Sequence, residues 1–165
     1  GRVDVYGVGA SAFVAADLQQ KLHRIGRVAF AWSDTHMMLT SAALLKPTDV
    51  AFAVSHTGST VDTVEALREA TRSGATTIAL TNFPRSPITS VATHVLTTAA
   101  RETTFRSGAM ASRIAQLTVI DCLFIGVAQL HLDTARTALE STYAAVGTHR
   151  LDSRPDGRRR VQESE

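Results

Sequence analysis

"AVSHTGSTVDT", residues 53–63, decides how the rest of the chain reads. It leaves an apolar run, "DVAFAV" at 49–54, with no polar alternation after Asp49. Such a run is the mark of a strand buried on both faces, as in a parallel sheet. Ser55, Thr57, Ser59 and Thr60 then crowd around His56 and Gly58. From Thr60 to Ser73 apolar residues recur at Val61, Val64, Leu67 and Ala70, a helical spacing. Glu65 with Arg68 and Glu69 with Arg72 stand three apart on the other side of that helix. The stretch is a buried strand, a hydroxyl-rich turn and a helix start.

The same alternation runs outward in both directions. "VDVYGVG" reads as a short strand ending in glycines, followed by a helix from Ser11 to about Ile25 and a stop at Gly26. "RVAFAW" is a second strand, and Asp34 to Leu45 a helix that stops near Pro47. Beyond the central helix, "TTIALT" is a fourth strand, "NFPRSP" a turn and "HVLTT" a fifth strand. From about Ser107 to Gly147 the pattern is helical, with a polar break near His131 that divides it into two helices and a glycine, Gly126, placed to kink the first. Strands alternating with helices predict an α/β fold, a three-layer αβα sandwich whose five-stranded parallel sheet is joined by right-handed crossovers. Ligands of such sheets bind beyond the carboxyl ends of the strands. The loops after strands one, three and four are therefore expected on one edge.

Composition narrows the function classes. With 165 residues and 44% hydrophobic side chains, one domain with an ordinary core is expected. Seventeen basic residues face 15 acidic ones. Five of the arginines and four of the acids lie in the tail from Arg150 to Glu165, so the body is near neutral and shows no basic stripe for nucleic acid. The tail lacks apolar periodicity, and residues 150–165 read as a disordered charged segment after a domain spanning 1–149. "TVIDCLFIGVAQL", 118–130, is broken by Asp121 and Gln129 and is too short to span a bilayer. No leader pattern opens the chain. A single cysteine, Cys122, excludes a disulfide framework and argues against cysteine-based metal sites. The expectation is a cytoplasmic protein with no cofactor, no metal and no membrane contact.

The hydroxyl turn has a physical reading. A helix start carries unpaired N–H groups and a partial positive charge. Hydroxyls there donate to an anion, and glycine lets the backbone approach it. A lone Ser or Thr would be an ordinary helix cap. Four hydroxyls with Gly58, and Ser11 at the start of the first helix, point to a phosphate site. Gly7, Gly9 and Ala12 also fit the G-x-G-x-x-A form of a dinucleotide fingerprint. That reading leaves the turn after strand three unexplained, and no Gly-Lys-Ser/Thr occurs anywhere.

"GVGAS" (7–11) followed by "SHTGST" (55–60) resembles the sugar isomerase (SIS) domain, which carries a G-x-[GS]-x-S turn and an S-x-[ST]-G-x-[ST] loop. The resemblance covers about residues 3 to 148. "SDTHMMLTSAALLKPTDV" (33–50) is similar to the D-x-H helix of RpiR/MurR-type transcriptional regulators. "ETTFRSGAMASRIAQLTVIDCLF" (102–124) is similar to the E-x-x-x-R-S-x-A-x-x-S-R-I-A-Q-L-x-x-I-D segment of the same group.

The resemblance implies the flavodoxin-like SIS fold and a bound phosphosugar. It puts Ser55, Thr57 and Thr60 at the phosphate, with Ser11, His56, Gly58 and Ser59 beside them. It puts Glu102, His36 and Arg106 near the ligand or a subunit interface. Ser59 stands where the family often has Glu, and His94 where it often has Asp. The regulator type implies a phosphosugar-sensing domain that dimerises or tetramerises through its SIS domains and meets DNA only through an N-terminal helix-turn-helix domain, absent from this chain. The helix around Arg113 to Leu130, apolar on several faces, is the candidate interface; a buried core helix is the competing reading. The alternative function is a sugar-phosphate aldose–ketose isomerase, for which Glu102, His36 and His56 would be the acid–base candidates. For each there is a plainer role: Glu102 anchoring the following helix, His36 pairing with Asp34, His56 offering only its backbone N–H. No residue is assigned as catalytic.

Overall fold

A computed structural model describes residues 1–102 and 109–147. Five parallel strands form one sheet in the order β2-β1-β3-β4-β5. They are β1 (Val3–Tyr6), β2 (Ala29–Trp32), β3 (Val50–Val54), β4 (Thr76–Thr81) and β5 (His94–Thr97). The helices are α1 (Ala10–Arg24), α2 (Thr35–Ala43), α3 (Val61–Arg72), α4 (Met110–Leu130) and α5 (Leu132–Gly147), with a short 3-10 turn at Pro87–Ser90. The expected elements are all present, with ends moved by one to three residues, and the break at His131 separates α4 from α5. The tail beyond 147 and the start of the last helical segment at 107 lie outside the described residues.

Two apolar clusters make the layers. On one face Tyr6, Met38, Ala42, Leu67 and Ile88 pack together, joining α2, α3 and the 3-10 turn to the sheet. Seven alanines belong to this cluster (42, 51, 53, 66, 70, 75 and 79), and their small side chains let the helices lie close on the strands. On the other face Val14, Leu18, Phe52, Val54, Leu80, Ile120 and Ala135 bring α1, α4 and α5 onto the sheet. One buried charge interrupts the first face. Asp4 is fully buried; its Oδ2 accepts from Trp32 Nε1 at 3.1 Å, from Arg2 Nη2 at 3.2 Å and from the Ser41 hydroxyl. Such pairing is what makes a buried carboxylate tolerable.

Chain direction creates the functional edge. From β1 the chain leaves through α1 to one face, and from its neighbour β3 it leaves through α3 to the other. A crevice opens between two such strands at their carboxyl ends. The loops at 7–9 and 55–60 sit on its two sides.

α4 is partly a core helix and partly a surface. By length and composition it could cross a bilayer, yet it packs on α1, and Lys21 Nζ of α1 meets Asp121 Oδ1 of α4 at 2.8 Å. Only Ser112, Gln116 and Ile120 are buried along it, while Met110, Ile114, Ile125 and Leu130 are more than half exposed. The core reading therefore describes its buried stripe, and the rest of the helix leaves apolar side chains exposed.

Candidate functional site

The hydroxyl loop is built as a rigid turn. Ser55, 2% exposed, ends β3, and its N–H donates to Leu80 O at 3.0 Å. The Gly58 N–H donates to both Ser55 O and Ser55 Oγ at 3.1 Å, closing the turn on itself. Ser55 Oγ and Thr60 Oγ1 are 3.2 Å apart, so the first and last hydroxyls of the loop meet. Thr57 Oγ1 accepts from the Ser59 hydroxyl at 2.9 Å and from the Ser59 N–H at 3.3 Å. Having accepted twice, Thr57 keeps its own O–H to donate outward. Thr57 and Ser59 are exposed and Thr60 half-buried.

Gly58 carries the geometry. Its φ is +65°, and a Cβ there would stand 2.0 Å from Ser86 Oγ and 2.9 Å from Thr81 Oγ1. No side chain fits, and the left-handed conformation favours glycine on its own account. The loop after β4 clamps the turn from the other side. Ile88 N–H donates to Gly58 O at 2.9 Å, Asn82 N–H to His56 O at 3.0 Å, and Thr81 Oγ1 to His56 O at 3.1 Å. Asn82 Oδ1 in turn accepts from Thr98 Oγ1 and Ala100 N–H, tying in the end of β5. Thr81, Asn82 and Ser86 escape a motif reading because only their contacts reveal them; a polar residue ending an apolar strand is the one sequence signal they carry.

α3 begins at Thr60 with no side chain capping it. Its first N–H groups are thus presented at the mouth of the hydroxyl loop, where a bound anion gains roughly 0.3–1 kcal/mol per favourable dipole contact. Asp62 in the first turn partly complements the same positive end.

Across the crevice, Gly7 and Gly9 shape the loop before α1. A Cβ on Gly7 would lie 2.6 Å from Ser11 O, so glycine here lets the strand end pack on the first helical turn. Gly9 takes φ +60° at the helix N-cap. These two needs explain the glycine pair without a dinucleotide. Ser11, half-buried, stands in the first turn of α1 on the same edge.

The remaining residues divide. The His56 ring lies edge-on to Phe83 with centroids 5.7 Å apart, and its Nδ1 is buried with no hydrogen-bond partner. Glu102 Oε1 accepts the Ser112 N–H at 2.8 Å, capping α4, whose N-cap Ala109 offers no side-chain cap of its own. These hydrogen bonds from Ser112, helped by the nearby His56, hold the Glu102 carboxyl below its ordinary range. His36 is exposed in the first turn of α2, two strands from the hydroxyl loop on the same edge. Asp34 does not pair with it; its carboxylate accepts the Met37 N–H at 3.0 Å and caps α2. Arg106 lies outside the described residues.

Comparison with known proteins agrees with this architecture. The SIS domain family matches residues 1–126. Over 92% of its length the chain is 46% identical to an uncharacterised helix-turn-helix-type transcriptional regulator of Caldanaerobacter subterraneus subsp. tengcongensis, of which it covers 54%. It is 38% identical to the helix-turn-helix-type transcriptional regulator RpiR of Escherichia coli K12, over 87% of this chain and 48% of that protein. The NanR protein of Vibrio vulnificus, solved in complex with ManNAc-6P, superposes with a TM-score of 0.85 at 31% identity, over 91% of this chain and 56% of that one. The chain spans about half the length of the curated relatives it matches. A flavodoxin-like strand order, a hydroxyl turn opening α3 and these likenesses lead to one assignment: the chain belongs to the SIS domain family, in the form found in RpiR-type transcriptional regulators.

Proposed function

We propose that this chain is the phosphosugar-sensing domain of an RpiR-type regulator of carbohydrate metabolism. The observation that carries the reading is the preformed Ser55–Thr60 turn, with uncommitted hydroxyl hydrogens at the uncapped start of α3. Ser55, Thr57, Gly58, Ser59 and Thr60 would hold the phosphate. Ser11 would face it across the crevice, and His56, Glu102, His36 and Arg106 would stand toward the sugar or a second subunit. The complex of NanR with ManNAc-6P supports this class of ligand.

The sensor reading also supposes a homodimer or tetramer formed through SIS domains. Phe13 on α1 and Ile114 on α4 are each about two-thirds exposed, and Ile125, on the same side of α4 as Ile114, is half exposed; apolar side chains left in this way are of the kind that a second copy covers. DNA contact would belong to a helix-turn-helix domain like those of the relatives.

The isomerase alternative draws on one observation, the carboxylate of Glu102 beside His56. A general base works best with a pKa near the working pH. Glu102 is shifted the other way and is already engaged with the Ser112 N–H, which suits an anchor better than a base. Proton NMR of phosphosugars in D2O with the purified chain separates the two. Ligand line broadening without loss of the C1 or C2 proton signal is the expected result. Catalytic exchange of that proton for deuterium would establish an isomerase instead. Thr57→Val is expected to abolish phosphosugar binding, and unchanged affinity would remove the phosphate site.

A further inference from the structure

α1 and α4 both run from the carboxyl edge of the sheet to its amino edge, and there they part around a cavity of about 300 Å³. Its walls are Leu18 and Leu22 of α1, Phe52 and Ile78 of the sheet, and Leu123 and Val127 of α4. All six belong to the core cluster of this face or pack on it. Leu18 and Phe52 are each 1% exposed, so the inner end of the cavity reaches into the core. Its outer end is set by Thr48, Arg27 and His131, which lie before β3, before β2 and after α4. The mouth therefore opens on the edge opposite the hydroxyl turn.

Protein interiors leave few voids larger than a water molecule, whose share of liquid volume is about 30 Å³. This cavity has room for roughly ten groups of that size. The six wall side chains offer no polar atom, so an occupant is apolar along most of its length. The mouth has the opposite character. Arg27 there is half-buried and always charged. Among the described residues neither Arg27 nor His131 has an ion-pair partner, and no carboxylate lines the cavity. Arg2 also lines it, but its guanidinium is engaged with Asp4 and Ser41. The carboxyl ends of α1 and α4 bring partial negative charge to the same edge, so an anion finds its place at Arg27 rather than over a helix end.

We propose that the cavity is a second ligand site, for an unbranched monocarboxylate of about eight carbons, whose roughly ten heavy atoms match the space. The chain lies between α1 and α4 against Leu18, Phe52 and Val127. The carboxylate meets Arg27, whose guanidinium presents paired N–H donors, with His131 beside it. The apolar walls give affinity, about fourfold for each buried methylene, and the charged contact at the mouth fixes orientation. The site is separate from the hydroxyl turn, and the proposal stands whether or not the chain binds a phosphosugar.

The test is calorimetric titration of the wild-type chain, R27Q, V127F and T57V with butanoate, hexanoate, octanoate and octan-1-ol, with a thermal melt of each variant. In the wild type, affinity is expected to rise about fifteenfold for each pair of methylenes from butanoate to octanoate. R27Q is expected to weaken octanoate about tenfold, the worth of one charge-assisted hydrogen bond, and to leave octan-1-ol unchanged. V127F fills the cavity and should abolish binding of both while keeping a single melting transition. If V127F does not fold, the contrast between octanoate and octan-1-ol in R27Q decides. T57V, altered at the opposite edge, should bind octanoate as the wild type does. No saturable octanoate binding to the wild type, a flat chain-length series, or undiminished octanoate binding in folded V127F would each overturn the proposal. So would an unchanged octanoate affinity in R27Q, an equal loss of octanoate and octan-1-ol there, or a loss of octanoate in T57V.

Discussion

Replacing Gly58 by alanine tests the loop geometry most directly. The added Cβ would enter at φ +65°, a conformation that disfavours an L side chain by about 1–2 kcal/mol. It would also stand 2.0 Å from Ser86 Oγ and 2.6 Å from Ser86 Cβ. The hydroxyl could rotate away, giving up its 2.7 Å bond to Phe83 O, worth about 0.5–1.5 kcal/mol. The Cβ of Ser86 cannot rotate away, so the loop after β4 must shift, and forced overpacking of this kind costs about 1–3 kcal/mol. Taking the middle of each range gives a loss of about 4.5 kcal/mol. At about 2–4 °C per kcal/mol for a domain of this size, the melting temperature should fall by roughly 9–18 °C. Phosphosugar affinity should fall with it. The assay is a denaturant or thermal melt of Gly58→Ala alone and in a Ser86→Gly background. Ser86→Gly removes both Ser86 atoms, so the same substitution should cost less there, about 1–2 kcal/mol of backbone strain with only the tight contact to Thr81 Oγ1 added. An equal loss in both backgrounds, or a loss under about 1 kcal/mol in the wild-type background, would refute the steric argument.

Gly126 is the contrasting glycine: it lies inside α4 with open space where a Cβ would go. Gly126→Ala should raise stability by about 0.5–1 kcal/mol in the same melt. Trp32→Phe removes the indole N–H from buried Asp4 and should cost about 1.5–3 kcal/mol, as hydrogen bonds to charged groups do. Lys21 sits between Asp17 and Asp121; partial burial opposes its charge, but the hydrogen bonds it donates to Asp121 and Asp17 prevail and raise its pKa. Its contribution is therefore present below the ordinary lysine pKa and lost as pH rises through the raised value. Lys21→Met should lower stability by about 0.2–1 kcal/mol at neutral pH and low salt, with the difference shrinking at high pH and high salt. Glu102 titrates in the opposite sense. Its lowered pKa makes the α4 cap complete above the ordinary carboxylate range and lost as pH falls through the depressed value. The protection of the Ser112 amide against hydrogen exchange, relative to its intrinsic rate at each pH, should fall over that acid window, and Glu102→Ala should show the low protection at neutral pH.

The sequence by itself determined the class of fold and the position of the hydroxyl turn. Apolar runs without alternation can only be strands covered on both faces, and helical spacing between them forces parallel connections. The Ser55–Thr60 run was legible for the same local reason, since a strand end, a glycine and a helix start are neighbours in the chain. The tertiary structure decided what depends on residues far apart. That Gly58 is required because Ser86 fills the space for its Cβ follows from the β4 loop folding over the turn. That Asp34 caps α2 and leaves His36 alone is a matter of side-chain direction. α4 has too many apolar faces for its pattern to show which one turns inward, and only packing against α1 and the sheet selected the Ser112–Gln116–Ile120 stripe. Periodicity records which residues avoid water along one segment. The partners of a buried polar atom are set by the approach of other segments, which no local pattern encodes.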